Sequence, residues 1–95
     1  MEIIWTPQAE KDLERNIDYL LQDWSEKVAQ SFVQSVTQTI KQISKNPNTF
    51  QRYESSKIRF VLIVPQITLF YEVDENKVVL LRLWNNKQDP LRRKL

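Results

Sequence analysis

The spacing of apolar residues changes once along this chain, and that change limits what it can fold into. Up to residue 45 apolar side chains return every three or four positions; from residue 57 they alternate. Before the helical part, "EIIW" at residues 2–5 reads as a short first strand. Thr6 and Pro7 supply an N-cap and a proline at the first helical position, with Glu10 in the first turn. Ala9, Leu13, Ile17, Leu20, Leu21 and Trp24 then form one stripe, while Glu10, Lys11, Glu14, Arg15 and Asp18 take the other side. Ser25 caps a second helix, whose stripe is Val28, Phe32, Val36, Ile40 and Ile43; it runs to about Lys45, and Asn46-Pro47 closes it.

The alternating part predicts three strands, at about 57–64, 67–73 and 77–84. Asp74-Glu75-Asn76 marks a hairpin turn. At Pro65-Gln66 a strict two-residue turn is not expected, because proline cannot supply the positive φ of a primed turn. The order is β-α-α-β-β-β in one domain over residues 1–95. The predicted class is α+β, with a two-helix antiparallel hairpin packed on one face of a small, mostly antiparallel sheet.

Strand parity divides the sheet into two faces. One collects Ile58, Phe60, Leu62, Val64, Ile67, Leu69, Tyr71, Val73, Val79, Leu81 and Leu83. It is uncharged, and is expected to meet the helices. The other collects Lys57, Arg59, Val61, Ile63, Thr68, Phe70, Glu72, Val78, Leu80, Arg82 and Trp84. On this reading Leu81 is core, and Arg59 and Arg82 lie near each other on an open face that interleaves basic and aromatic residues. Such a face suits phosphate, carboxylate or a partner helix, since arginine makes bidentate charge-assisted contacts and the rings add area.

What the chain lacks narrows its chemistry. It has no cysteine, histidine or glycine. That removes disulfides, thiolate and imidazole metal sites, Ser-His-Asp machinery and glycine-rich phosphate loops. No cofactor is expected, and catalysis would have to run on Lys, Arg, Tyr, Asp or Glu. The net charge is only +2, although the tail ends Arg92-Arg93-Lys94-Leu95. No apolar run approaches the ~18 residues of a membrane span, and the cysteine-free composition fits a cytoplasmic protein.

Several segments together resemble the RelE/ParE family of bacterial toxins. They are "IIWTPQAEKDLERNIDYLLQDWSEKVA", "ISKNPNTF", the arginine in "KIRFVLI", "TLFYEVDENKVVLLRLW" and "NNKQDP", in the family's order and spacing over nearly the whole chain. The resemblance implies the toxin of a type II toxin–antitoxin module, which inhibits growth, serves plasmid stabilisation and is held inactive by a cognate antitoxin protein. It implies one of two actions. ParE-like members bind DNA gyrase; RelE-like members enter the ribosome and cut mRNA as endoribonucleases. Assemblies to consider are a homodimer and a toxin–antitoxin hetero-oligomer, and no membrane partner is implied.

Carried over by position, Arg59, Arg82 and Lys87 would be the catalytic groups of a RelE-like enzyme. In either action Lys57, Arg59, Phe70, Arg82 and Trp84 would contact the target. Antitoxin contacts are expected at Trp5, Leu21 and Trp24, grouped at one end of the molecule. The chain departs from the nuclease pattern in having no tyrosine or histidine after Pro90 and only Lys57 before Arg59. A general acid or base works best with a pKa near the working pH, which lysine and arginine reach only through large shifts. A ParE-like action by binding is therefore favoured over a RelE-like one.

Overall fold

A computed structural model of the protein describes residues 1–87. Strand β1 (Glu2–Trp5) leads into helix α1 (Pro7–Asp23) and helix α2 (Glu26–Lys45), followed by strands β2 (Gln51–Arg52), β3 (Ile58–Val64), β4 (Ile67–Asp74) and β5 (Lys77–Asn85). The α+β class and the order of elements are those expected, with the two-residue β2 added. Both caps form as the sequence predicts. The Thr6 hydroxyl accepts from Ala9 N–H and the Ser25 hydroxyl from Val28 N–H, each at 3.1 Å.

The sheet order is β1-β5-β4-β3-β2. Its pairs are antiparallel except for β1, which lies parallel to β5 and places the first strand beside the last. Thr6 fastens the junction, its hydroxyl donating to Leu80 O at 2.8 Å. The helices cover one face. Ala9 and Leu20 of α1 and Ala29, Phe32, Val36 and Ile43 of α2 pack on Ile67, Leu69, Tyr71, Val78, Leu80 and Leu83.

That list corrects the expected faces on two strands. In β5 the register with β4 shifts between Phe70 and Tyr71: Phe70 pairs with Arg82 but Tyr71 pairs with Leu80. Leu81 is the inserted residue of a β-bulge, so parity reverses there. Val78 and Leu80 join the core in place of Val79 and Leu81, while Leu83 keeps its expected place. In β3 the strand is turned over up to the irregularity between Leu62 and Val64, beyond which Val64 keeps its expected place against the core. Arg59 pairs with Tyr71 and Val61 with Leu69, which puts them on the helix side, and Phe60 and Leu62 face away. Leu62 is 58% exposed.

The Pro65-Gln66 reversal is also tighter than expected. Val64 pairs with Ile67 across only two residues, and the register slips between Leu62 and Val64. Positive φ among the described residues occurs only at Glu54 and Glu75, so this turn is not of the primed type. The irregularity in β3 takes up the mismatch between turn twist and strand twist.

Candidate functional site

The side chains that hold Arg82 come from α1. Ala9, Asp12, Asn16 and Leu20 form the buried stripe of that helix, so two polar residues sit where the apolar period calls for core. They meet β5 beyond the end of β1, whose last pair is Trp5 with Leu80. Among the described residues no strand borders this part of the outer edge, and helix side chains take the place of one. Asp12 Oδ2 accepts from Leu83 N–H at 3.1 Å, and Asn16 Nδ2 donates to Leu83 O at 3.0 Å. Asn16 Nδ2 also reaches Asp12 O at 2.9 Å, and Asn85 Nδ2 donates to Asn16 Oδ1 at 3.4 Å.

Arg82 completes this cluster. Its Nε donates to Asp12 Oδ2 at 2.7 Å and its Nη2 to Asp12 Oδ1 at 3.2 Å, the fork geometry of a strong charge-assisted pair. The guanidinium carbon lies 4.6 Å from the centroid of the Trp84 ring, a cation–π distance. The side chains of Arg82 and Asp12 are 23% and 4% exposed. A cleft of about 210 Å³ opens here, lined by Asp12, Arg15, Asn16, Arg82, Trp84 and their neighbours. Arg82 therefore ties α1 to β5 and is not a solvated charge on an open face.

Arg59 lies elsewhere. Its Nη1 donates to Phe50 O at 2.6 Å, holding the chain that enters β2. It sits beside Tyr71, whose hydroxyl donates to Pro47 O at 3.0 Å. Burial pushes the Tyr71 phenol above its ordinary pKa, and the Arg59 charge offsets part of that rise. The expected pairing of Arg59 with Arg82 on one surface is thus not formed. They lie on opposite faces with β4 between β3 and β5.

The other expected contacts also separate. Phe70 is fully buried under Tyr53 and Phe60, with ring centroids at 5.4 and 6.2 Å, and Trp84 is 6% exposed. Lys57 and Lys87 are exposed, the backbone N–H of Lys87 donating to Asn85 Oδ1 at 3.0 Å. The expected tail positions after Lys87 lie outside the described residues. Trp5 is half-buried against the core at the start of α1, whereas Leu21 and Trp24 are 48% and 55% exposed at its far end. A 17-residue helix separates them by roughly 25 Å, so Trp5 does not join the other two in one patch. At that far end an apolar groove of about 400 Å³ runs between the helical hairpin and the β3–β4 turn, lined by Leu20, Trp24, Val28, Phe32, Val64 and Pro65 among others.

Residues 3–90 match the family model of the ParE toxin of the type II toxin–antitoxin system parDE. The chain belongs to the ParE toxin family. Solved structures similar to this ParE-family chain include the chromosomal ParDE system from P. aeruginosa, at 20% identity and a TM-score of 0.76 over 90% of this chain and 95% of that one. The YoeB dimer from Staphylococcus aureus follows at 19% identity and 0.64, covering 88% and 94%. A copper-bound mutant toxin from Helicobacter pylori stands at 19% and 0.63, covering 94% and 98%. At such identities the likeness is one of fold. No curated protein sequence matches the chain.

Sequence reasoning missed Asp12 and Asn16. The available signal was their position four residues apart on the apolar stripe between Ala9 and Leu20. A polar pair in that place points to a buried hydrogen-bonded role.

Proposed function

We propose that this chain is the toxin of a type II toxin–antitoxin module that acts by binding its target, DNA gyrase, without a chemical step. The observation that carries this reading is the commitment of both arginines. Arg82 is engaged by a buried carboxylate and Arg59 by a backbone carbonyl, on opposite faces of the sheet. General acid–base cleavage of RNA works best with groups that converge on the reacting atoms and titrate near the working pH. The chain has no histidine to supply one.

A cognate antitoxin is part of the same proposal. Its neutralising segment would place an apolar anchor in the groove beside Trp24, Val28 and Pro65, where uncovered apolar surface is concentrated. Trp24 is then the reporter. Adding the antitoxin segment should change tryptophan emission, and the change should vanish in Trp24→Phe.

Induced expression in a bacterial host, paired with a supercoiling assay on purified gyrase, tests the action. Growth arrest with a DNA-damage response and inhibited gyrase supports it. Arrest of translation with cut messages would establish the ribosome-dependent endoribonuclease instead. Normal growth would leave a non-toxic family member kept as a binding partner.

A further inference from the structure

The cleft beside Arg82 has its side-chain acceptors engaged and its donors in surplus. Both carboxylate oxygens of Asp12 accept twice, Oδ1 from Arg82 Nη2 and Gln8 Nε2, and Oδ2 from Arg82 Nε and Leu83 N–H. Asn16 Oδ1 accepts from Asn85 Nδ2, and Asn85 Oδ1 accepts from Lys87 N–H. Arg82 differs. A guanidinium carries five N–H donors, and Asp12 takes only the pair on the Nε–Nη2 edge. The Nη1–Nη2 edge has no hydrogen-bond partner among the described residues, and the side chain is 23% exposed.

A second guanidinium borders the same cleft. Arg15, exposed on α1, lines it together with Asp12, Asn16 and Arg82. Among the described residues the one ion pair is that of Arg82 with Asp12, so Arg15 has no carboxylate of its own. Two arginines and one aspartate leave the lining with a single positive charge. Arg82 is also held in place, gripped along one edge by Asp12 and stacked at 4.6 Å on the Trp84 ring. A donor fixed before its ligand arrives loses little freedom on binding. The volume of about 210 Å³ lies below the roughly 300–1,000 Å³ of sites for drug-sized molecules, so the occupant is small.

We propose that this cleft binds a carboxylate, seated on the open edge of Arg82 and attracted by Arg15. A planar carboxylate meets a planar guanidinium edge through two parallel N–H···O bonds. Its single charge balances the local surplus. A cation finds no welcome there, because the side-chain acceptors are already engaged and the lining is positive. A phosphate dianion would exceed the surplus and stand beside the Asp12 charge. The carboxylate can come from a free short-chain acid or from an acidic side chain of a bound protein, since the recognising chemistry is the same. The site does not depend on which target the chain binds or on toxicity.

Nuclear magnetic resonance titration of the chain with sodium acetate at neutral pH, set against sodium chloride at equal ionic strength, tests it. We expect saturable shifts of the Arg82 Nε–H and Leu83 N–H signals with acetate alone. Arg15→Gln should weaken acetate binding at least about threefold. Lys41→Gln removes the same charge from α2, away from the cleft, and should change it less than about twofold. Both positions are exposed, and circular dichroism checks that each variant is folded. A glutamate tripeptide blocked at both ends separates the sources. Binding equal to that of acetate assigns the cleft to a protein side chain, and acetate binding with the tripeptide shut out assigns it to a free acid. Chloride shifts of the same size, shifts that never saturate, or an Arg15→Gln variant indistinguishable from the parent overturn the proposal. So does inorganic phosphate binding more tightly than acetate, which would make this a phosphate site.

Discussion

Asp12 is a carboxylate removed from water and satisfied by four donors, two from Arg82, one from the Leu83 backbone and a longer one from Gln8 Nε2. Removing one partner of such a pair costs more than the pair contributes, because the other charge stays buried. Arg82→Ala should therefore lower stability by roughly 2–4 kcal/mol, less than a fully buried pair because the guanidinium is partly exposed. Urea melts of Arg82→Ala, Asp12→Ala and the double variant should show positive coupling. Additive losses would mean that Arg82 is only a surface charge, as strand parity first indicated. Tyr71 gives a pH test. Burial raises its pKa above the ordinary value, so the folded state holds the phenol proton more tightly than the unfolded chain does. This contribution is fully present below the unfolded pKa of about 10 and is lost as pH rises through the folded value. Tyr71→Phe should flatten the alkaline fall in stability, read by melts from neutral to alkaline pH, at the expense of the bond to Pro47.

Among the elements, β5 shows how one inserted residue redirects a strand. The bulge at Leu81 puts Val78, Leu80 and Leu83 into the core and turns Arg82 and Trp84 away from it. Leu80→Ala should cost about 2–5 kcal/mol as a cavity in a packed site, and Leu81→Ala about 1 kcal/mol or less. Denaturant melts that reverse this order would place the bulge elsewhere. The bulge matters to the site because the two residues after it carry the bonds to Asp12. Those bonds seal the edge of β5 where β1 stops short.

For the molecule as a whole, the parallel pairing of β1 with β5 joins residues more than seventy positions apart. The sheet is complete only when both ends of the described chain have met, a non-local closure that slows folding. Deleting residues 1–5 should expose the β5 edge and remove the Ile3 and Trp5 packing, leaving a chain without cooperative thermal unfolding by circular dichroism. A truncated chain that keeps a sharp transition would show that β1 is dispensable.

What the sequence determined by itself was local. Thr6-Pro7 and Ser25 placed the helix starts, since a cap is made between residues three apart. The change of period placed helices and strands nearly to the residue, because apolar spacing is a property of the segment. The motifs from "IIW" to "NNKQDP" carried the family resemblance. The tertiary structure alone decided which face each strand turns inward. Parity gives two faces but does not say which one the helices take: β3, with apolar residues on both faces, packed Val61 and Ile63 inward and left Leu62 to solvent. A bulge is chosen by pairing with the neighbouring strand, so Leu81 carried no mark of it. Arg82 met Asp12 across 70 positions of sequence, a contact that only the docking of α1 on the β5 edge creates.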